Sequence, residues 1–394
     1  MKSSVGTAYV GLFLSGIASA ATAPYLSTVA LDTLGISGAT YSTIVFVSGI
    51  LSVSLSLAIG WASDAILGRG AIIAVLGIVA GAGIGAFVIF GTVALFLLCC
   101  LLFLPLTSIL TQQLFGYLRF ESLGLDKLEI ENRNARGRTL FATAWVAAPS
   151  IFLLLPALDP SRLAFATSAV ACIMAALLFC TMRPIEDSRA SRAPIPHLSP
   201  PATPLLRIIM LLIIPILGCG VLRAAPRLQQ ILLGPIVTQQ LHGAFSEIGY
   251  IAAFTALIEL PLILMWGRLL RYISRPAMLL IGSMLFSTYF VTLYLASSMT
   301  AIYFSSAILA LATSGTLSIT ISYLQNLLPD RPGLGSSLIS VANCIGVAVA
   351  ALTFAPFSQT KAFSDCAIVA AIIVALGGLA IWMWGKRTPS ANDG

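Results

Sequence analysis

The sequence predicts an all-α membrane protein of twelve transmembrane helices arranged as two six-helix halves. Its 394 residues are 58% hydrophobic and only 9% charged, whereas soluble chains carry about 25% charged residues. Residues 33–63 and residues 70–118 contain no charged side chain. Such runs match the interior of a bilayer and not water. A soluble fold is therefore excluded.

Charge and cysteine usage limit the expected partners. The formal net charge of +7 does not indicate a nucleic-acid partner, because the basic residues lie in the connections between apolar runs. All seven cysteines fall within apolar runs and lack metal-ligand spacing. We therefore expect small buried hydrophobic residues, without disulfides, a metal or a cofactor. The sequence does not indicate an oligomeric state.

The N-terminal apolar run has two interpretations. Met1-Lys2, followed by a run that ends in Ala18-Ser19-Ala20, is typical of a signal peptide with a cleavage site. The apolar character continues past it to Leu31, which is long enough for a spanning helix of roughly 20 residues. We expect an uncleaved helix 1.

The later spans are separated by short polar connections. Helix 2 is expected near 40–62, and helices 3 and 4 share the next uncharged run, with a break near Gly91. The following spans are expected near 139–158, 163–182, 205–225, 246–266, 277–297, 301–324, 334–355 and 366–385. In helix 3, Gly77, Gly81 and Gly85 have the spacing that permits close helix packing.

A proline-rich segment divides the chain into two halves. Residues 183–204 contain six prolines, which prevent a regular helix and indicate an extended cytoplasmic linker. The N-terminal half is then 1–182 and the C-terminal half is 205–394.

The basic residues predict the orientation. With both termini in the cytoplasm, 17 of the 21 Lys and Arg residues lie on the cytoplasmic side. The outer loops hold only Arg162 and Lys361, and Arg223 and Arg227 are expected at the outer part of helix 7. This bias predicts an even helix count in the cell inner (plasma) membrane, whereas eleven helices would disrupt the alternation.

The turn between helices 2 and 3 carries Gly60, Asp64, Gly68 and Arg69. This pattern resembles the Gly-x-x-x-Asp-x-x-Gly-Arg signature of major facilitator superfamily transporters, with one extra residue between Asp64 and the second glycine. Gly60 would permit close backbone approach, Asp64 would cap a helix N-terminus, and Arg69 would keep the turn cytoplasmic. We expect these residues to act in gating.

The second half has a weak counterpart of this turn after helix 8. It reads Gly267-Arg268-Leu269-Leu270-Arg271, with Arg271 where the first half has Asp64. Transporters of the superfamily are built from two parallel six-helix repeats, so the resemblance implies the major facilitator fold.

Four short segments narrow the resemblance. They look like segments of bacterial sugar efflux transporters, in matching order along most of the chain: residues 23–27, residues 257–261, residues 324–331, and Arg138 followed by residues 145–149. The resemblance implies export of a sugar or glycoside. An exporter of drugs or amphipathic metabolites, and a non-transporting membrane protein on the same scaffold, are the alternatives.

Glu259 is the acid placed deepest in a predicted span. A carboxyl group there must be neutral, paired or solvated by cavity water, because a charge at the bilayer centre is unfavourable. We expect Glu259 to carry the coupling proton. A structural hydrogen bond between helices is the alternative.

Other polar and aromatic residues in the spans could bind a sugar or line its path. The candidates for substrate binding are Tyr25, Gln112, Gln113, Trp145, Arg223 and Asn343. Hydroxyl binding, ring stacking or interhelical hydrogen bonding could explain them. Arg138 is expected either to gate the cytoplasmic mouth or to reach the interface. Arg223 and Arg227 could face anionic headgroups or an anionic substrate.

Enzyme classes receive little support from the sequence. The chain has two histidines, His197 and His242, and no HExxH motif, Walker A loop or Gly-x-Ser-x-Gly elbow. We therefore expect a transporter and not an enzyme. Since no ATPase motif is present, protons are the expected energy source for export of a small-molecule substrate across the lipid bilayer.

Overall fold

The computed structural model is almost entirely helical over the residues that it describes. These residues are 4–65, 69–122, 125–154, 159–180, 205–327 and 332–387. The predicted linker at 183–204 lies outside them, as do the side chains of Asp64 and Arg69.

Twelve helices follow one another through these ranges, numbered α1 to α12 in chain order. The first half contains α1 Ser4–Thr33, α2 Gly38–Ala65, α3 Arg69–Phe90, α4 Val93–Phe120, α5 Lys127–Leu154 and α6 Pro160–Cys180. The second half contains α7 Leu205–Pro235 with a π-helical turn Ile236–Gln240, α8 Phe245–Leu269, α9 Arg275–Leu295, α10 Met299–Asn326, α11 Pro332–Thr360 and α12 Phe363–Arg387. The predicted all-α architecture of twelve helices is confirmed.

The helices are suited to a bilayer. Eleven of them are long and apolar enough to cross a membrane. The twelfth, α5, begins at Lys127 within a polar segment, so its first turns carry charges and its later turns are apolar. Large apolar side chains such as Val75, Ile89 and Leu352 are exposed on helix surfaces. In a bilayer these side chains face lipid, as expected of a multi-pass membrane protein.

Two helices extend more than ten residues beyond the bounds that the sequence predicts. The apolar pattern ends helix 7 near residue 225, whereas the structure continues it to Gln240. Arg223, Pro226 and Arg227 give this part the composition of a loop, but a proline within a spanning helix is tolerated when neighbouring groups satisfy the freed carbonyl. Likewise α5 starts at Lys127 and not near residue 139, because the polar segment before the span is also helical.

The two halves repeat each other with an offset of 207 residues. α1 ends in a π-helical turn at Val29–Thr33, and α7 ends in one at Ile236–Gln240. The residues that reverse the chain afterwards, Gly35 and His242, both have a positive φ, of 63° and 53°. The same offset relates Gly60 to Gly267. The halves are therefore parallel repeats of one another.

The helices define two ends of the bundle. We call the end at which α1 begins the terminal end. There the Ser4 hydroxyl donates to the Glu121 carboxylate at the end of α4. We call the opposite end the distal end. It carries the connection between α1 and α2 at 34–37 and the connection between α7 and α8 at 241–244.

Small residues let the helices of one half approach closely. A Cβ atom added at Gly77 would lie 2.6 Å from the carbonyl oxygen of Cys172, and one at Gly81 would lie 2.9 Å from that of Ala169. Both contacts join α3 to α6. The predicted glycine face of helix 3 is therefore a packing face.

The cysteines are free thiols. Five of the seven are buried, Cys344 is half-buried and Cys180 is exposed at the end of α6. The prediction of buried hydrophobic cysteines is wrong for Cys180, because the last residue of a helix has fewer neighbours to cover it.

Candidate functional site

One carboxylate joins the two halves at the distal end. Asp32 in α1 accepts a hydrogen bond of 2.7 Å from the Thr238 hydroxyl and a second one from the side-chain amide of Gln239. Asp32 and Gln239 occupy equivalent positions of the two repeats. A further hydrogen bond between the halves joins the Ser27 hydroxyl to the backbone carbonyl of Gln230. We call this set of contacts the distal seam.

Helix packing closes the same end. Gly38 faces Ser358 and Gly49 faces Val347, so that α2 lies directly against α11. A Cβ atom at either glycine would overlap with the facing side chain. A pocket of about 690 Å³ remains beside the seam, and residues of both halves line it.

The equivalent helices α2 and α8 each carry a glycine with an uncovered face near the terminal end. Gly60 and Gly267 are counterparts in the two repeats, and a Cβ atom at either would meet nothing within 4 Å. The close backbone approach that the sequence suggests at Gly60 is therefore absent in this conformation. A closed distal end with uncovered glycine faces opposite is consistent with a bundle whose cavity faces the terminal side.

Glu259 lies in the middle part of α8, between Phe245 and Leu269. Its half-buried carboxyl group shares a side-chain hydrogen bond with Thr313 of α10. The Thr313 hydroxyl also lies 3.0 Å from the carbonyl oxygen of Leu309. It can donate to this carbonyl and accept from a protonated Glu259, or it can donate to the ionised carboxylate. Both protonation states of Glu259 therefore have a hydrogen-bond partner.

Arg223 and Asn343 are brought together across α7 and α11. The Nε atom of Arg223 donates to Oδ1 of Asn343 at 2.6 Å. The two helices approach closely here, because a Cβ atom at Gly346 would lie 2.8 Å from the carbonyl carbon of Arg223. The charge-assisted bond orients the guanidinium group without neutralising it.

Arg227 follows one helical turn after Arg223. Its side chain is exposed, and its guanidinium is close enough to Tyr41 of α2, in the other half, for electrostatic interaction. The carbonyl oxygen of the Gln230 side chain lies 3.5 Å from one guanidinium nitrogen. An exposed side chain that approaches a residue of the other half borders the space between the two halves.

The other predicted substrate-binding side chains are spread over the first half. Gln112 is exposed, and its side-chain oxygen accepts a 2.7 Å hydrogen bond from Ser56, which links α4 to α2. Gln113 is half-buried on the same helix. Tyr25 is buried, and its ring stacks on Phe245 of the other half with centroids 4.8 Å apart. The contacts described for Gln112 and Tyr25 are with other residues, whereas Arg223 and Asn343 contact each other directly.

Trp145 and Arg138 share helix α5 but differ in surroundings. Trp145 is half-buried and packs against the main hydrophobic core. Arg138 is exposed towards the terminal end. A pocket of about 560 Å³ nearby is lined by Tyr9 of α1 and by Asn132 and Arg136 of α5.

Several residues of the site are not evident from the sequence pattern. Asp32, Thr238 and Gln239 resemble ordinary loop residues beside apolar runs, and Thr313 is one hydroxyl among many in α10. Asp32 does stand alone between two long uncharged runs, which is a usable signal. Its partners 206 and 207 residues away depend on tertiary structure.

Two comparisons with known sequences agree with this architecture. The family model of the Major Facilitator Superfamily matches residues 227–394. A curated protein of Deinococcus radiodurans, with the provisional name of sugar efflux transporter, is 22% identical over 258 residues. The match spans 64% of this chain and 64% of the length of that relative.

Solved structures of transporters share the fold. A crystal structure of a variant of the nucleoside transporter NupG has a TM-score of 0.80 at 13% identity, over 97% of this chain and 99% of that chain. A crystal structure of a variant of the peptide transporter POT, in complex with sulfate, has a TM-score of 0.79 at 13% identity, over 97% and 94% of the two chains. The predicted resemblance to major facilitator transporters, and among them to sugar efflux transporters, is confirmed.

Proposed function

We propose that this chain, which has the fold of major facilitator transporters, exports a small solute, a sugar or glycoside, by proton-coupled alternating access. The observation that carries the proposal is the placement of Glu259. Among the described residues it is the acid deepest within a span, and Thr313 can bond both of its protonation states. The name of the Deinococcus radiodurans relative supports sugar export.

The proposed orientation places the terminal end in the cytoplasm. The bias of 17 of the 21 basic residues towards that side supports it. The bundle, with its distal seam closed, then corresponds to an inward-facing state in the inner membrane. Gly60, Asp64, Arg69 and Arg138 lie on the cytoplasmic side in this orientation and are proposed to gate that side.

The proposed cycle exchanges a proton for the solute. In the inward-facing state Glu259 releases its proton to the cytoplasm, and the solute enters between the halves. When the halves rock and the distal seam opens, the solute leaves and Glu259 takes a proton from the more acidic outside. Polar and aromatic side chains, proposed to be Gln112, Gln113, Trp145 and Tyr25, would contact the hydroxyl groups and ring of the solute.

Proteoliposomes containing the purified protein test both parts of the proposal. Counterflow of a labelled methyl glucoside measures exchange without an energy source, and a pH gradient measures uphill transport. Glu259→Gln keeps the shape of the protonated group but cannot release a proton. We expect it to abolish uphill transport and to leave counterflow within about twofold of the parent protein, because exchange needs no proton cycle.

Glu247→Gln is the matched control. Glu247 lies near the distal end of the same helix, where its carboxylate accepts a hydrogen bond from Tyr303, and its variant should retain uphill transport. Uphill transport by Glu259→Gln would contradict the coupling role. Loss of counterflow as well, with folding preserved, would make Glu259 a solute ligand. If the parent protein shows no counterflow with either neutral or anionic sugars and glycosides, the proposed substrate class is wrong.

A further inference from the structure

Two arginines lie in the middle of the membrane-spanning part of α7. The span covers Leu212–Gln240, with Arg223 and Arg227 near its centre. Arg227 precedes the end of the span by 13 residues, which is about 20 Å along a helix. This distance separates its Cα atom from the lipid headgroups, which lie outside a hydrocarbon core about 30 Å thick. A charged residue at such a depth is a candidate functional residue.

The protein supplies these arginines with neutral partners. Arg223 donates to the amide oxygen of Asn343, and Arg227 lies beside the amide oxygen of Gln230. Over the described ranges, neither guanidinium forms an ion pair with a carboxylate; the ion pair found there joins Arg133 to Glu129. Two adjacent positive charges therefore face the interior without compensating acids, which is unfavourable unless an anion or water completes the site.

The location of Arg227 favours a mobile anion over a structural one. Its side chain is exposed, while its neighbours Ala224, Ala225 and Leu228 on α7 are fully buried. Its guanidinium approaches Tyr41, which belongs to the opposite half and packs against Phe354. Arg227 thus lines the cavity between the halves, where a transported solute passes.

The geometry of a guanidinium group defines the class of anion. Its planar array of N–H donors matches the two oxygens of a carboxylate or phosphate. Asn343 occupies Nε of Arg223 and fixes its orientation, which leaves the terminal nitrogens for a ligand. The arrangement suits one oxyanion bound by two arginines one helical turn apart.

We propose that Arg223 and Arg227 bind an oxyanionic group of the transported solute, so that the substrate is an acidic sugar derivative bearing a carboxylate or a phosphate. This inference rests on the proposed transport function and specifies its substrate class. Arg227 is the primary contact, and Asn343 positions Arg223.

Matched probes that differ in one charged group test the inference. Binding of D-glucuronate, D-glucose 6-phosphate and D-glucose to the purified protein is measured by calorimetry at constant ionic strength. We expect either anion to bind about tenfold or more tightly than glucose, as a charge-assisted pair predicts. Comparing glucuronate with glucose 6-phosphate separates a carboxylate site from a phosphate site.

Variants then assign the preference to the arginines. Arg227→Gln should remove the preference for the anion and leave glucose binding unchanged, and Arg227→Lys should restore part of it. Arg162→Gln, which removes an exposed charge at the start of α6, is the matched control and should keep the preference. If Arg227→Gln does not fold, the loss of preference in Arg223→Gln is the equivalent result.

Several results would overturn the inference. Equal binding of anionic and neutral probes contradicts it, as does a preference that survives in Arg227→Gln. If phosphatidylglycerol vesicles abolish the preference seen in phosphatidylcholine vesicles, the arginines bind lipid headgroups. Counterflow of neutral glucosides without any anion preference would overturn this inference alone, whereas absence of flux with every probe would overturn the proposed function.

Discussion

The side-chain carboxylate of Asp32 connects the two halves. Both of its hydrogen bonds come from α7 of the other half, from Thr238 and Gln239. Because Asp32 is exposed to solvent, each bond adds little to folding stability. If these bonds form only when the distal end is closed, however, their whole free energy favours the closed conformation over the open one.

Asp32→Asn should therefore open the distal seam more often. The amide keeps the shape but loses charge and one acceptor, so about 1 kcal/mol of closed-state stabilisation is removed, a shift of roughly fivefold. In intact cells, a membrane-impermeant thiol reagent should label Ser358→Cys, a position that the closed contact with Gly38 buries, about fivefold faster in the Asp32→Asn background.

Asp365→Asn, at the exposed start of α12, is the control and should leave that rate unchanged. Labelling from outside also requires the proposed orientation. Unreactive Ser37→Cys in intact cells, with rapid labelling in inverted vesicles, would contradict it.

Some of these residues could be predicted from the sequence and others could not. Glu259 is evident because an acid within a long apolar run has few explanations. The sequence predicts Asn343 as a polar group of the site, but its bond to Arg223 depends on how closely α7 and α11 pack at Gly346. The pairing of Asp32 with Gln239 has no local signal, because it arises only when the halves assemble.

The length of helix α7 also depends on tertiary structure that the sequence pattern does not reveal. Its spacing of apolar residues predicts a spanning helix, but Arg223 and Arg227 interrupt the apolar run and suggest an early end. Within the bundle the cavity solvates those side chains, so the helix continues to Gln240. The shift moves both arginines from the outer surface to mid-span.

Gly77 packs against a helix of its own half, and Gly49 packs against a helix of the other half. Alanine substitutions at the two positions therefore test the two kinds of contact separately. Gly77→Ala would place its Cβ against the backbone of Cys172, which cannot move aside, and should cost about 1–3 kcal/mol and lower the apparent melting temperature. Gly49→Ala would meet only the side chain of Val347 in the other half. It should weaken the closed distal contact, raise the labelling of the buried position Ser358→Cys, and change the melting temperature less.

Gly60→Ala is the control for these substitutions. It faces open space, and alanine is favoured over glycine in a helix by up to about 1 kcal/mol, so the melting temperature should not fall. Equal loss of stability in Gly49→Ala and Gly77→Ala would contradict a mobile interface between the halves.

The whole molecule consists of two repeats that meet at the distal end. The repeat places the π-helical turns of α1 and α7 on either side of the seam, and it places the uncovered faces of Gly60 and Gly267 towards the opposite end. The sequence predicts this division because a proline-rich segment separates two sets of six spans. It does not predict which end is closed, since that depends on contacts between the repeats.

Rocking of the halves about a central site is the central claim. Distances between paired spin labels in proteoliposomes test it most directly, with one pair at Ser37 and Gln359 beside the distal seam and another at Arg119 and Gln325 on the terminal ends of α4 and α10. When a transported solute or an acidic outside is supplied, a population should emerge in which the distal distance is longer and the terminal distance is shorter. Two distances that stay fixed, or that lengthen together, would contradict alternating access.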